Sequence, residues 1–139
     1  MEIWKHALAS SVLALVLYSF FKWNVAFIFV GGVLVDIDHY FWYIFKFKSL
    51  NLFDCYNYYM EHMDKKKIHN IVGLLMVFHT IEFLAMCIFL SFYYKFVLVF
   101  TIGLLSHYLL DAIFLYSVPK RVIANHSIIS WVLKNNQKV

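Results

Sequence analysis

From Val25 to about Phe45 the chain is apolar over a length that crosses the roughly 30 Å core of a bilayer. The second half of that run nevertheless carries Gly31-Gly32-Val-Leu-Val-Asp36-Ile-Asp38-His39. Two carboxylates and an imidazole in such a run need partners, because an ionisable group in hydrocarbon is costly unless it is paired or functional. Composition makes the membrane reading general. Of 139 residues 63% are hydrophobic and 14% charged, with mean hydropathy +0.72, which excludes an ordinary soluble globule. The fold class expected is all-α, a four-helix transmembrane bundle with short interfacial helices, in one domain spanning residues 1–139.

Four spans are expected, at about 3–23, 25–45, 68–94 and 96–116. Trp4 and Trp23 stand where interfacial anchors belong on the first, which has only Lys5 before it and Tyr18-Ser-Phe-Phe-Lys22-Trp23 after it. No run of small residues suited to signal cleavage follows, so this segment is expected to stay in the membrane. Between spans two and three, Leu52, Phe53, Tyr56, Tyr59, Met60 and Met63 recur at helical spacing before Lys65-Lys66-Lys67. That pattern predicts a helix lying in the interface. Pro119 marks the end of span four, and Val122, Ile123, Ile129, Val132 and Leu133 predict a second interfacial helix. Cys55 and Cys87 lie in different segments without metal-like spacing and are read as plain thiols.

Basic residues set the expected orientation. The N-terminal arm, the 46–67 loop and the C-terminal tail hold ten of the twelve lysines and arginines, and the other two loops only Lys22 and Lys95. The positive-inside rule then places both termini in the cytoplasm. Asn125-His126-Ser127, formally a glycosylation pattern, would face the cytoplasm and carry no glycan.

With alternating directions, His6, the Asp36 to His39 cluster, His69, and His107 with Asp111 fall at a common depth near the cytoplasmic leaflet. Asp36 and His39 are three apart and His107 and Asp111 four apart, so each pair shares a helix face and can reach one ion. The expected metal ligands are therefore His6, Asp36, His39, His69, His107 and Asp111. A mixed nitrogen and oxygen set suits zinc, manganese or iron better than calcium, and an open position would let bound water ionise near neutral pH. Asp38 lies about 200° from Asp36 on a regular helix, so either Gly31-Gly32 breaks the helix or Asp38 has another role.

Other polar residues allow blander readings. His79 and Glu82, a turn apart in span three, either satisfy each other structurally or act in function. His62 and His126 read as surface residues. The lysine run is foremost a topology signal and lipid-phosphate anchor, with a substrate-phosphate contact as the alternative. Ser106 lacks a Gly-x-Ser-x-Gly elbow, which leaves a serine-hydrolase reading weak.

At these residues the chain resembles the YdjM-like family of inner-membrane, predicted metal-dependent hydrolases, whose namesake is a LexA-regulated bacterial protein. The resemblance covers most of the chain. His6 matches an early His on the first helix, and Val35-Asp36-Ile-Asp38-His39 matches a Pro-Asp-x-Asp-His motif. Gly103 to Asp111 matches Gly-x-x-Ser-His-x-x-x-Asp in full. Asp64-Lys65-Lys66-Lys67-Ile68-His69-Asn70 answers to His-Arg-Gly-x-Thr-His-Ser, with Asp64 in place of the first His. The ligand order is also similar to zinc-dependent phospholipase C and related nucleases, which hydrolyse phosphate esters. The resemblance implies a membrane hydrolase using a divalent transition metal, zinc foremost. The expected substrate is a phosphate ester on a lipid or membrane-associated molecule. Asp38 or Asp64 is then the expected general base or a second-metal ligand, and Lys65 the expected partner of developing phosphate charge. Membrane lipids are the expected partners, and no nucleic acid is. The alternatives are a non-enzymatic carrier of metal ions or protons, with His79 and Glu82 extending the site across the bilayer, and a degenerate family member with a structural metal.

Overall fold

The computed structural model describes residues 3–63, 75–117 and 126–136. Among them the chain is helical, in the order α1 (Ile3–Phe21), α2 (Ala26–Gly32), α3 (Ile37–Phe47), α4 (Leu52–Met63), α5 (Ile81–Ser91), α6 (Lys95–Ser117) and α7 (Ile128–Asn136). Short 3-10 turns at Lys22–Val25, Leu34–Asp36 and Val77–His79 interrupt the pattern.

The first reversal follows α1. Lys22 adopts a left-handed φ of 51°, which an α-helix cannot absorb, and the chain folds back. Ser10 on α1 then faces Gly32 at the end of α2, both about equally far from the turn, so α1 and α2 form an antiparallel hairpin. The helical stretch Ile3–Phe47 and the helix Lys95–Phe114 are long and apolar enough to cross a membrane. One face of α1 is buried through His6, Ser10 and Ala14, while Leu8, Leu15 and Phe20 on its other faces are largely exposed. An outward apolar face of this kind is stable against lipid and unfavourable against water.

The centre of the molecule is the crossing of α2 and α6. A Cβ on Gly31 would stand 2.1 Å from the Phe100 carbonyl oxygen, and one on Gly103 would stand 2.4 Å from that of Ile28. Only hydrogen fits at either position. This is the small-residue contact by which helices in lipid gain close packing without a hydrophobic driving force between them. Ala14, Ile28 and Val99 fill one side of the crossing and Val35, Cys87 and Leu104 the other.

The third expected span departs from a continuous helix. Met76 and Thr80 are extended, Val77–His79 is a 3-10 turn, and α-helix begins only at Ile81. Thr80 accounts for the start: its hydroxyl donates to the Val77 carbonyl at 2.8 Å and accepts from the Phe83 N–H at 3.3 Å. That arrangement is an N-cap. Thr80 and Met76 are buried, and irregular backbone in a membrane protein is tolerated where protein covers it. Residues 64–74 and 118–125, with Asp64, Lys65, His69 and Pro119, lie outside the described residues, and among the described ones two helical stretches rather than four are long and apolar enough to span, α5 being a shorter apolar helix. The helices expected after Leu52 and around Ile129 are present as α4 and α7.

Candidate metal centre

Helix α2 ends at Gly32, and the chain makes a 3-10 turn over Leu34–Asp36 before α3 resumes. This break removes the regular spacing that would have turned Asp38 away from Asp36. Asp36 Oδ1 lies 3.4 Å from His107 Nε2 on α6 and 3.5 Å from His79 Nε2. His107 Nε2 is 3.0 Å from His79 Nε2 and 3.3 Å from Asp111 Oδ2, and His79 Nε2 is 3.9 Å from the same Asp111 oxygen. Asp36 Oδ1, His79 Nε2 and His107 Nε2, from three parts of the chain, thus surround one point, and Asp111 Oδ2 stands beside the two imidazole nitrogens.

The hydrogen bonds behind these atoms fix which lone pairs they present. His107 Nδ1 is 2.9 Å from the Gly32 carbonyl oxygen, which can only accept, so the proton sits on Nδ1 and the Nε2 lone pair faces Asp36, His79 and Asp111. His79 Nδ1 is 3.0 Å from Asp38 Oδ2, with the same consequence for its Nε2. With both rings neutral, two imidazole lone pairs and the Asp36 carboxylate oxygen converge, an arrangement that a cation would balance.

A tetrahedron with metal–ligand distances of about 2.0 to 2.1 Å has edges of about 3.3 to 3.4 Å. The three edges between Asp36 Oδ1, His79 Nε2 and His107 Nε2 run from 3.0 to 3.5 Å. The donor set fits a transition-metal ion.

Asp38 stands behind this set. Its Oδ1 is 2.7 Å from His39 Nδ1, and its Oδ2 accepts the Phe78 N–H at 3.2 Å in addition to its contact with His79. A carboxylate orienting a metal-facing imidazole is the usual outer-shell arrangement. His39 approaches Asp36 Oδ1 only to 3.7 Å and is tied instead to Asp38. His6 lies on the opposite flank, stacked on His107 at 4.0 Å between ring centroids, with Nε2 3.3 Å from Asp111 Oδ1. His6 is buried and neither nitrogen makes an aligned hydrogen bond, which is costly for an imidazole with no cation nearby.

Of the expected ligands, His6, Asp36, His107 and Asp111 stand within this cluster, His39 stands at its edge, and His69 is outside the described residues. His79 enters the centre in a way spacing did not single out. Its signal in the sequence was only its presence as an ionisable group in a span. Glu82 does not pair with it. The Glu82 carboxylate accepts from Ser127 Oγ at 2.6 Å and from the N–H groups of Ile128 and Ile129 at 3.1 and 3.3 Å, capping α7. The Ser127 hydroxyl and these two N–H groups hold its carboxyl together, at the start of a helix where a negative charge is favourable.

A half-open cleft of about 200 Å³ reaches Asp36, His39 and Asp111 from the side of α4. Tyr59 closes part of it, donating to the His39 carbonyl at 3.0 Å. Burial raises the Tyr59 hydroxyl and the Cys55 thiol above their ordinary ranges, so both are neutral.

Fold and site together define a helical membrane protein with a histidine–aspartate centre able to bind a metal ion. The family model described as YdjM inner membrane protein matches residues 1–120, and the chain belongs to that family. No curated protein and no solved structure matches it.

Proposed function

We propose that the chain is a membrane-embedded, metal-dependent hydrolase of a phosphate ester carried by a lipid or another membrane-associated molecule. The observation that supports this reading best is the convergence of His79, His107 and Asp36 donor atoms at ligand-to-ligand spacing, with Asp111 beside the two imidazoles. His79, His107 and Asp36 would hold the ion. They form the set of two imidazoles and one carboxylate found in zinc hydrolases, so zinc is the first choice, ahead of manganese and iron. When bound, such an ion supplies Lewis acidity toward a phosphoryl oxygen and lowers the pKa of water.

The chain's own residues supply positioning and proton transfer. Asp111 Oδ2, beside the two imidazole nitrogens, is where a carboxylate can take the proton of an attacking water, and His6 Nε2 stands 3.3 Å from its other oxygen. Asp38 keeps His79 in the tautomer that leaves its Nε2 lone pair available, and its other oxygen faces His39 Nδ1. His39, which lines the cleft, is placed to pass a proton to the leaving alkoxide. In this assignment Asp111, expected as a metal ligand, takes the proton-accepting role, and Asp38, expected as a general base or second-metal ligand, takes a positioning one. A carrier reading needs Glu82 to continue the path from His79, and Glu82 caps α7 instead. Both termini and the centre would lie on the cytoplasmic side, as the distribution of basic residues implies.

Elemental analysis of protein purified without a His-tag or added metal tests the ligand set. A transition metal in equal proportion to the chain, lost in His107→Ala and Asp36→Ala, is the expected result. Full occupancy in both variants overturns the assignment. Release of phosphate or of a phosphorylated headgroup from lipid substrates, abolished by chelation and restored by zinc, tests the reaction.

A further inference from the structure

The cleft beside the centre has a polar floor and an apolar wall. Asp36, His39 and Asp111 form the floor. Along the wall stand Ile3, Leu52, Cys55, Met60 and three tyrosines. Two of those tyrosines turn their hydroxyls onto backbone: Tyr40 donates to the Leu50 carbonyl at 2.8 Å and Tyr59 to that of His39. They therefore offer the cleft ring surface rather than hydrogen bonds. Outside the cleft, Leu50, Leu52 and Phe53 at the start of α4 are 74%, 66% and 71% exposed, and Ile3 across from them is 50% exposed. The wall is thus continuous with an outward apolar rim, which in a bilayer meets acyl chains rather than water.

We infer that the cleft between α4 and the N-terminal end of α1 holds an acyl chain of the substrate, a phospholipid that enters sideways from the membrane with its phosphate at Asp36 and Asp111. This rests on the hydrolase reading above and narrows its substrate class: a phosphate ester without a hydrocarbon chain leaves the α4 wall empty. Leu52, Tyr56 and Met60 are then the residues that select the chain. The metal position accounts for the phosphate, since a cation at the floor offsets the repulsion between its charge and the two carboxylates.

The test uses the full chain in nanodiscs, with metal content measured on every sample. The probe is phosphatidic acid carrying a photoreactive diazirine within its acyl chain. Adducts are expected on Leu52, Cys55, Tyr56 or Met60. They should be lost in Met60→Trp, which fills the cleft, while metal content is unchanged, and should persist in Met60→Ala, which leaves it open. Diacylglycerol with the same diazirine, lacking the phosphate, should give weak labelling there. Adducts confined to the outer face of α1, around Leu15 and Phe20, in metal-loaded protein overturn the cleft assignment and leave the metal centre standing. Cleft adducts sensitive to Met60→Trp in a protein that binds no metal support the chain site and overturn the hydrolase reading. Equal cleft labelling by both probes in metal-loaded protein removes the phosphate from the assignment and overturns it.

Discussion

Helix α6 and the α2–α3 segment bring the same kinds of side chain to the centre by opposite means. On α6, His107 and Asp111 sit four residues apart on an uninterrupted helix, and the periodicity alone puts them on one face. On α2–α3, the helix stops at Gly32, and the 3-10 turn over Leu34–Asp36 re-aims the next four residues. Asp36 points at His107, and Asp38 reaches His79 and His39 behind it. A regular helix yields one pair per face. A broken one can present a front residue and its support from nearly adjacent positions.

The two halves are locked together by the Gly31 and Gly103 crossing and by the Gly32 carbonyl, freed from regular helical use at the break, which accepts from His107. The glycines therefore do two jobs: they let α2 approach α6 and they end α2 where its last carbonyl is needed.

Five substitutions probe this contrast. The largest effect is expected from His107→Ala, whose side chain meets both the Gly32 carbonyl and Asp36: metal affinity should fall by more than the 10–100-fold typical of outer-shell changes, read by competition with a chelating dye. Asp111→Asn, on the regular helix, should retain metal while turnover of lipid phosphate falls by about 10²–10⁴, the usual range for a lost proton acceptor. Loss of metal in that variant would make Asp111 a ligand instead.

Gly31→Ala attacks the lock itself. Its Cβ meets backbone that cannot turn aside, so a loss of about 3 kcal/mol is expected in detergent unfolding, at the upper end of overpacking costs. Asp38→Asn, on the broken segment, should weaken metal binding by about 10–100-fold without abolishing it. The smallest effect belongs to Glu82→Gln, which should lower the melting temperature by loosening α7 and leave metal affinity unchanged. A metal-binding defect there would reinstate the His79 and Glu82 partnership.

The same contrast explains what the sequence made legible. Helical class, the α4 and α7 helices and the shared face of His107 and Asp111 follow from periodicity, which survives wherever the helix is regular. The placement of Asp38 depended on where the Gly31-Gly32 segment breaks, and spacing could pose that question without answering it. His79 was obscured because it precedes α5, in a 3-10 turn between two extended residues, Met76 and Thr80. A continuous span of about 68–94 would have turned it and Glu82 toward a shared side. With the helix starting at Ile81, the two side chains part, one to the centre and one to α7.

X-ray absorption at the metal edge of the loaded protein tests the central claim most directly. Two imidazole nitrogens with one or two carboxylate or water oxygens, all at about 2.0 to 2.2 Å, is the predicted shell for zinc. A shell containing sulfur, or one of oxygens alone with no imidazole scattering, would contradict the centre built on His79, His107 and Asp36.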